Sequence, residues 1–280
     1  MDAQQINANT LILLSTVYYF VERVLRYALR RWDPRFSNFL HQTRKDACFF
    51  GISMGLLISL LSTPSCARGA WNAWSALGAS PPAPWSLDED VQTCVTARAV
   101  LWISELNRLD MYTLYVVHHA GALLSLLSFL YLQWPVLPVI AVFATLVSEI
   151  PGDFLWMLSA YIESLDADAP SPTTGTATLP TQLHTLKHRL TVFNALQYAL
   201  VRGAGILFLL WLILSNAFPE VTLRTRSAAV QLEAYSLGIL YTAFCAAYVV
   251  RQYRSIQGHR RAAAFARRSH SVLYSEKFVQ

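Results

Sequence analysis

The chain has 280 residues, of which 54% are hydrophobic, 14% charged and 12% aromatic, with 11 Gly, 4 Cys and a formal net charge of +5. A soluble chain carries about 25% charged residues, so this one has too few charges to clothe a globule in water. Its aromatic and cysteine content also excludes a disordered chain, a collagen and a disulfide-dense secreted scaffold.

These exclusions leave an integral membrane protein. Its apolar runs are too long, and apolar on too many sides, for the short alternating strands of a membrane barrel. The expected fold is all-α, a polytopic membrane helix bundle of seven transmembrane helices, each needing roughly 20 apolar residues to cross the hydrocarbon. The first span is Asn9 to Tyr27, with Glu22 and Arg23 near one end. No Lys or Arg precedes its apolar run at Leu11, so it is expected to remain as a helix rather than to be removed as a signal peptide. Residues 23–45 then hold Arg23, Arg26, Arg30, Arg31, Arg35, Arg44 and Lys45. The second span is Ala47 to Ser62.

Thr63 to Thr93 reads as a non-cytoplasmic loop, with Arg68 as its one basic residue against Asp88, Glu89 and Asp90. Its Trp71, Trp74 and Trp85, with Pro81, Pro82 and Pro84, suit headgroup depth. Cys66 and Cys94 flank the segment, and an oxidising lumen would allow them to form a disulfide. Cys48 and Cys245 read as small apolar residues within spans.

The third span, Val95 to Leu109, is short and carries Arg98 and Glu105. Tyr112 to Leu132 and Pro135 to Ile162 follow, then a linker rich in Ser, Thr, Pro and Ala from Ser164 to Pro180. Leu190 to Leu214 and Ala228 to Val250 complete the set. Residues 251–280 hold seven further basic residues, so the two basic stretches contain 14 of the 22 in the chain. The positive-inside rule places both in the cytosol, with six crossings between them, a lumenal N-terminus and a cytosolic C-terminus. Because topology accounts for the charge, no nucleic acid is expected as a partner. The chain thus divides into an N-terminal helix with a basic cytosolic segment (1–45), a transmembrane domain (46–254) and a basic tail (255–280).

Polar groups inside the spans point to the chemistry, because they are costly in hydrocarbon and face the bundle interior. The fourth span contains His118 and His119, about 100° apart on a helix and able to border one cavity. Tyr115 lies one turn earlier, within reach of either ring. In the fifth span Glu149 and Asp153 are i and i+4, with Trp156 a turn beyond, and Pro151 lacks the amide that would bond the Val147 carbonyl. The sixth span carries Asn194, Tyr198 and Arg202 as a polar stripe, and Arg202 needs a partner such as Glu149 or Asp153. A buried ion pair that only locks the bundle, a lipid site and a transporter-style broken helix all remain open on these residues. Adjacent histidines are poorly spaced for joint ligation, so no metal is expected.

Taken in order, LDMYTLYVVHHAGALLSLLSFLY, LVSEIPGDFLWML and FNALQYALVRGAGILFLLW resemble the corresponding spans of the TLC-domain family of multi-pass membrane proteins, over about residues 45 to 255. Some members are ceramide synthases, which join an acyl group from acyl-CoA to a sphingoid amine. Carried over by position, the resemblance implies His118, His119, Glu149 and Asp153 as catalytic residues, with Tyr115, Trp156, Asn194, Tyr198 and Arg202 around a bound lipid. Ceramide synthases carry His-Asp, two residues and Asp in the fifth span. Here Ser148-Glu149, three residues and Asp153 stand there, which is closer to the small TLC-domain proteins that regulate membrane lipid composition.

The resemblance therefore implies action in membrane lipid metabolism, including sphingolipid or ceramide metabolism, in the endoplasmic reticulum, with a lipid or acyl chain held in an intramembrane cavity. An acyl-CoA-dependent N-acyltransferase is the alternative and a transporter the second. No resident cofactor is expected, with acyl-CoA as co-substrate if the chain is an acyltransferase. The expected partners are membrane lipids, with homo-oligomerisation open.

Overall fold

The computed structural model describes residues 8–77, 88–106, 113–131, 136–168, 178–215 and 227–277. Their side chains are described at 9–75, 88–106, 116–128, 143–167, 182–215 and 227–258, apart from a few positions. Among the described residues the structure is all-α, with eight helices and no strand: α1 (Ala8–Trp32), α2 (Pro34–Gln42), α3 (Asp46–Leu77), α4 (Glu89–Leu106), α5 (Thr113–Tyr131), α6 (Val136–Asp168), α7 (Thr178–Leu214) and α8 (Ala228–Lys277).

Local chemistry sets the breaks. Pro34 disfavours helical backbone at Asp33, which leaves the helical region and ends α1. The Asp33 side chain then accepts a hydrogen bond from the Phe36 amide at 3.0 Å and caps α2, with Pro34 in the first turn, where no amide is missed. At the far end of α2 Arg44 adopts φ 55°, and the Lys45 amide reaches back to the Leu40 carbonyl at 2.8 Å. Asp88 caps α4 by accepting from the Val91 amide at 2.7 Å, with Glu89 and Asp90 in the first turn.

The helices overrun the sequence-derived boundaries. Part of the expected loop from Thr63 to Thr93 is helical, because α3 continues through Pro64 to Leu77 and α4 begins at Glu89; Trp85 and the three prolines lie outside the described residues. The expected linker is shortened in the same way, α6 ending at Asp168 and α7 starting at Thr178. The basic tail extends α8 to Lys277, in keeping with its Ala- and Arg-rich composition and the absence of Pro.

Helix α6 packs against α3 and α7, α4 lies against α3 and α5, α1 covers α4, and α8 rests mainly on α7. Three helical stretches among the described residues are long and apolar enough to cross a membrane: Asp46–Ser75, Gln182–Phe208 and Ala228–Gly258. A shorter apolar stretch is Val116–Ser128. The bundle has an apolar exterior and buries several polar and charged groups within a mainly apolar core. Leu61, Leu124, Leu200, Leu207, Leu232 and Ile239 are exposed, whereas Arg98, Glu105, His119, Asn194 and Arg202 are buried. So apolar an exterior is unfavourable with water as sole solvent and is permitted by hydrocarbon.

Candidate functional site

The third span was the weakest by composition because of Arg98 and Glu105, and these residues open the site. They are seven apart on α4 and share its inward face. Both are 1% exposed. Arg98 Nη1 lies 3.3 Å from Glu149 Oε2 on α6. The other carboxylate oxygen, Oε1, accepts from Arg202 Nη2 on α7 at 3.0 Å. One carboxylate thus neutralises two buried guanidinium groups from two different helices. Of the three side chains, Glu149 retains 32% exposure against 1% for Arg98 and 3% for Arg202, so it is the least buried member.

Arg202 is held on every side. Its Nε donates to Ser148 Oγ at 2.6 Å, Nη1 donates to the Tyr241 hydroxyl on α8, and the guanidinium sits over the Tyr198 and Tyr241 rings at 4.8 and 5.4 Å. Arg98 is less fully engaged, since its Nε and Nη2 are buried without a hydrogen-bond partner among the described residues.

The histidines differ in surroundings. His119 Nδ1 lies 2.6 Å from Glu105 Oε2, both side chains being buried, so an acidic and an imidazole group are in close contact here. His118 stacks flat on Phe244 of α8, with ring centroids 4.1 Å apart and planes 2° from parallel. Its ionisable neighbours are Glu149, His119 and Arg202.

A second network begins at the backbone of the same Ser148. Gln197 Nε2 donates to the Ser148 carbonyl at 2.8 Å and to Asn194 Oδ1 at 3.0 Å, and Asn194 Nδ2 donates to the Tyr248 hydroxyl at 3.3 Å. Gly152 makes this approach possible, because a Cβ there would lie 3.1 Å from that hydroxyl. The amide missing at Pro151 thus has an interhelical donor beside it, on the neighbouring carbonyl, and α6 stays one helix through the proline.

The structure therefore brings together His118, His119, Glu149, Asn194, Tyr198 and Arg202. It does not gather every residue singled out from the sequence. Asp153 bonds neither arginine and points towards α3, near enough that a Cβ on Gly55 would be 4.0 Å from its Oδ2. Its charged neighbours are Glu149, Arg98 and Glu105. Trp156 packs instead against the aromatic cluster of Phe36, Phe49 and Phe50, two helical turns beyond Glu149. The Tyr115 side chain lies outside the described residues. Cys66 and Cys94 are joined as a disulfide, Cα to Cα 4.8 Å, about 30 Å along α3 from its first residue.

Sequence reasoning did not assign Arg98, Glu105, Ser148, Gln197, Tyr241, Phe244 or Tyr248 to the site. A signal was present for two groups of them. Arg98 and Glu105 are charges seven apart in an apolar run, and Tyr241, Phe244, Cys245 and Tyr248 follow the three-four-seven spacing of one helix face. No group of three or more His, Cys, Asp or Glu among the described residues is gathered to hold a metal ion. The chain matches none of the protein-family models, curated proteins or solved structures with which it was compared.

Proposed function

We propose that the chain is a seven-span membrane protein of lipid metabolism or homeostasis, in which a lipid or acyl chain lies against the polar site between α4, α5, α6, α7 and α8. The observation that carries this reading is Glu149: a partly exposed acidic side chain backed by two buried arginines, beside two imidazoles, in a bundle whose outer surface is apolar. A lock that served stability alone would gain nothing from leaving that side chain partly exposed. The TLC-like order of residues points to the same ligand class, including sphingoid and ceramide lipids, and to the endoplasmic reticulum.

The orientation with a lumenal N-terminus and a cytosolic C-terminus is supported by the two ends of α3. The disulfide to α4 needs an oxidising compartment at one end, while the basic segment 23–45 meets the other. The site lies nearer the basic end, since α4 enters it through Arg98 and Glu105 in its second half.

A second reading, acyl-CoA-dependent N-acyl transfer, is favoured by the His119–Glu105 pair. In that reaction an imidazole takes the proton from a lipid amine as its nitrogen bonds to the thioester carbonyl. The thiolate of coenzyme A leaves, is protonated, and an amide remains. Glu105 holds the imidazole in place.

Expression in cells stripped of ceramide synthases, followed by lipid mass spectrometry, separates the readings. New amide-linked lipid that disappears in both His118→Ala and His119→Ala identifies the transferase. Altered bulk lipid composition without new amide product, abolished by Glu149→Gln, identifies lipid binding or regulation. Substrate-dependent flux in sealed vesicles would identify a transporter, and no change in any of these assays refutes the site.

A further inference from the structure

A cavity of about 280 Å³ lies between the C-terminal half of α1, the whole of α2 and the start of α3, well apart from the intramembrane site. Its polar lining is Arg26, Arg30, Ser37, Asn38, His41 and Asp46, of which Arg30, Asn38 and His41 are exposed at its rim. Arg26 is anchored in its wall: Nε donates to Glu22 Oε1 at 2.8 Å, Nη1 donates to Asp46 Oδ2 at 3.2 Å, and the guanidinium lies 4.4 Å over the Phe50 ring. Those two carboxylates fix the position of one arginine and use up much of its charge. The side chains of Arg30, Ser37, Asn38 and His41 form no hydrogen bond or ion pair among the described residues. A hydroxyl, an amide, an imidazole and a second guanidinium therefore face one concavity with their donors uncommitted.

The surrounding segment is net basic, although Asp46 also lines the cavity and Glu22 stands behind Arg26. Residues 22–46 hold seven Lys or Arg against three Asp or Glu. Depth is marked by Tyr27 and Trp32 on the same stretch of α1, exposed at 72% and 84%, the arrangement of amphipathic rings at a membrane surface. A compact ligand rich in acceptors and carrying negative charge is what such a set of donors recognises, and a phosphate group presents three or more acceptor oxygens to guanidinium and hydroxyl donors.

We propose that this cavity binds the phosphate of a phosphate ester, supplied either by a phospholipid headgroup or by a soluble ester, with Arg30 as the principal cation and Ser37, Asn38 and His41 completing its coordination. Arg26 positions the wall. The assignment does not depend on the intramembrane site, and its failure would leave that reading intact.

The test uses the purified full-length chain. In one arm it is reconstituted in phosphatidylcholine nanodiscs with increasing phosphatidic acid, and bound lipid is measured by native mass spectrometry. In the other, glycerol phosphate is titrated against the protein in phosphatidylcholine nanodiscs alone and followed by calorimetry. Saturable binding is expected in one arm, which identifies the source. It should weaken at least about tenfold in Arg30→Gln, as befits loss of a charge-assisted contact, and several-fold in Asn38→Ala. Neither side chain has a structural partner, so both variants should melt as the parent does. The double variant Arg251→Gln, Arg254→Gln on α8 should bind normally. No saturable binding in either arm, or equal weakening by the α8 variant, which would mark diffuse attraction of basic residues, overturns the proposal.

Discussion

Glu149 is where the buried charge balances. It is the counterion of both Arg98 and Arg202, neither of which can reach water. Breaking a buried pair by removing one partner costs about 3–5 kcal/mol, because an uncompensated charge stays behind. Glu149→Gln is therefore expected to lower unfolding free energy by at least that range in detergent, read from thermal or denaturant melts. Asp153→Asn should cost much less, since Asp153 bonds neither guanidinium. If the two variants melt alike, Glu149 is not the shared counterion. The His119–Glu105 contact is tested by kinetics as well as by melting, should N-acyl transfer be detected. Glu105→Gln is then expected to reduce kcat by roughly 10²–10⁴ with KM little changed, the loss of an oriented general base. A change in melting temperature alone would give the pair a structural role.

At the scale of the helix pairs, α3 and α4 meet closely at a glycine. A Cβ on Gly69 would come within 3.0 Å of the Val91 amide nitrogen, which is backbone and cannot swing away. Gly69→Ala should force the helices apart and cost about 1–3 kcal/mol, whereas Gly121→Ala on α5, with nothing within 4 Å of the added carbon, should be neutral or mildly stabilising. The end of α2 offers the opposite case. Arg44 holds a left-handed φ that costs a non-glycine residue about 1–2 kcal/mol, so Arg44→Gly is expected to raise the melting temperature. Near the start of α4 the Arg68 guanidinium donates through Nε and Nη2 to both oxygens of Asp90, at 2.9 and 2.7 Å. These hydrogen bonds hold the Asp90 carboxyl below its ordinary range. A carboxyl depressed in the folded state stabilises above its unfolded value, near 3.9, and loses that effect as pH falls through the folded value. The melting difference between the parent and Asp90→Asn should thus stay constant from neutral pH down to about 4 and shrink only below it.

For the whole molecule the polarity of the ends is the testable feature. With the basic segments in the cytosol, protease added to sealed microsomes should remove a C-terminal epitope and spare an N-terminal one; the reverse pattern would invert the bundle. In the proposed orientation the disulfide would lie on the protected side, and a membrane-impermeant reductant should then leave it intact until the vesicles are opened. Closing a 28-residue separation corresponds to about 3–4 kcal/mol of chain entropy, and Cys66→Ser should lower stability by an amount of that order.

Composition alone specified helices and a membrane-compatible surface, because 14% charge over 280 residues cannot solvate a globule and hydrocarbon requires backbone groups to be satisfied within each segment. Isolated polar residues in apolar runs, such as His118, Glu149 and Arg202, were legible for the same reason: each is too costly to be incidental. What lay beyond the sequence was partnership. Arg98 and Glu105 read as defects of a short span until α6 and α5 brought Glu149 and His119 against them. Trp156, placed near the site by spacing, went instead to the aromatic cluster under α2. Helix ends were overrun because Pro64 and the Ala-rich tail are tolerated where neighbouring turns or propensity carry the helix on. Periodicity assigns a residue to one face of its own helix. Which foreign side chain that face meets depends on how the helices rotate and slide against one another, and only their packing decides that.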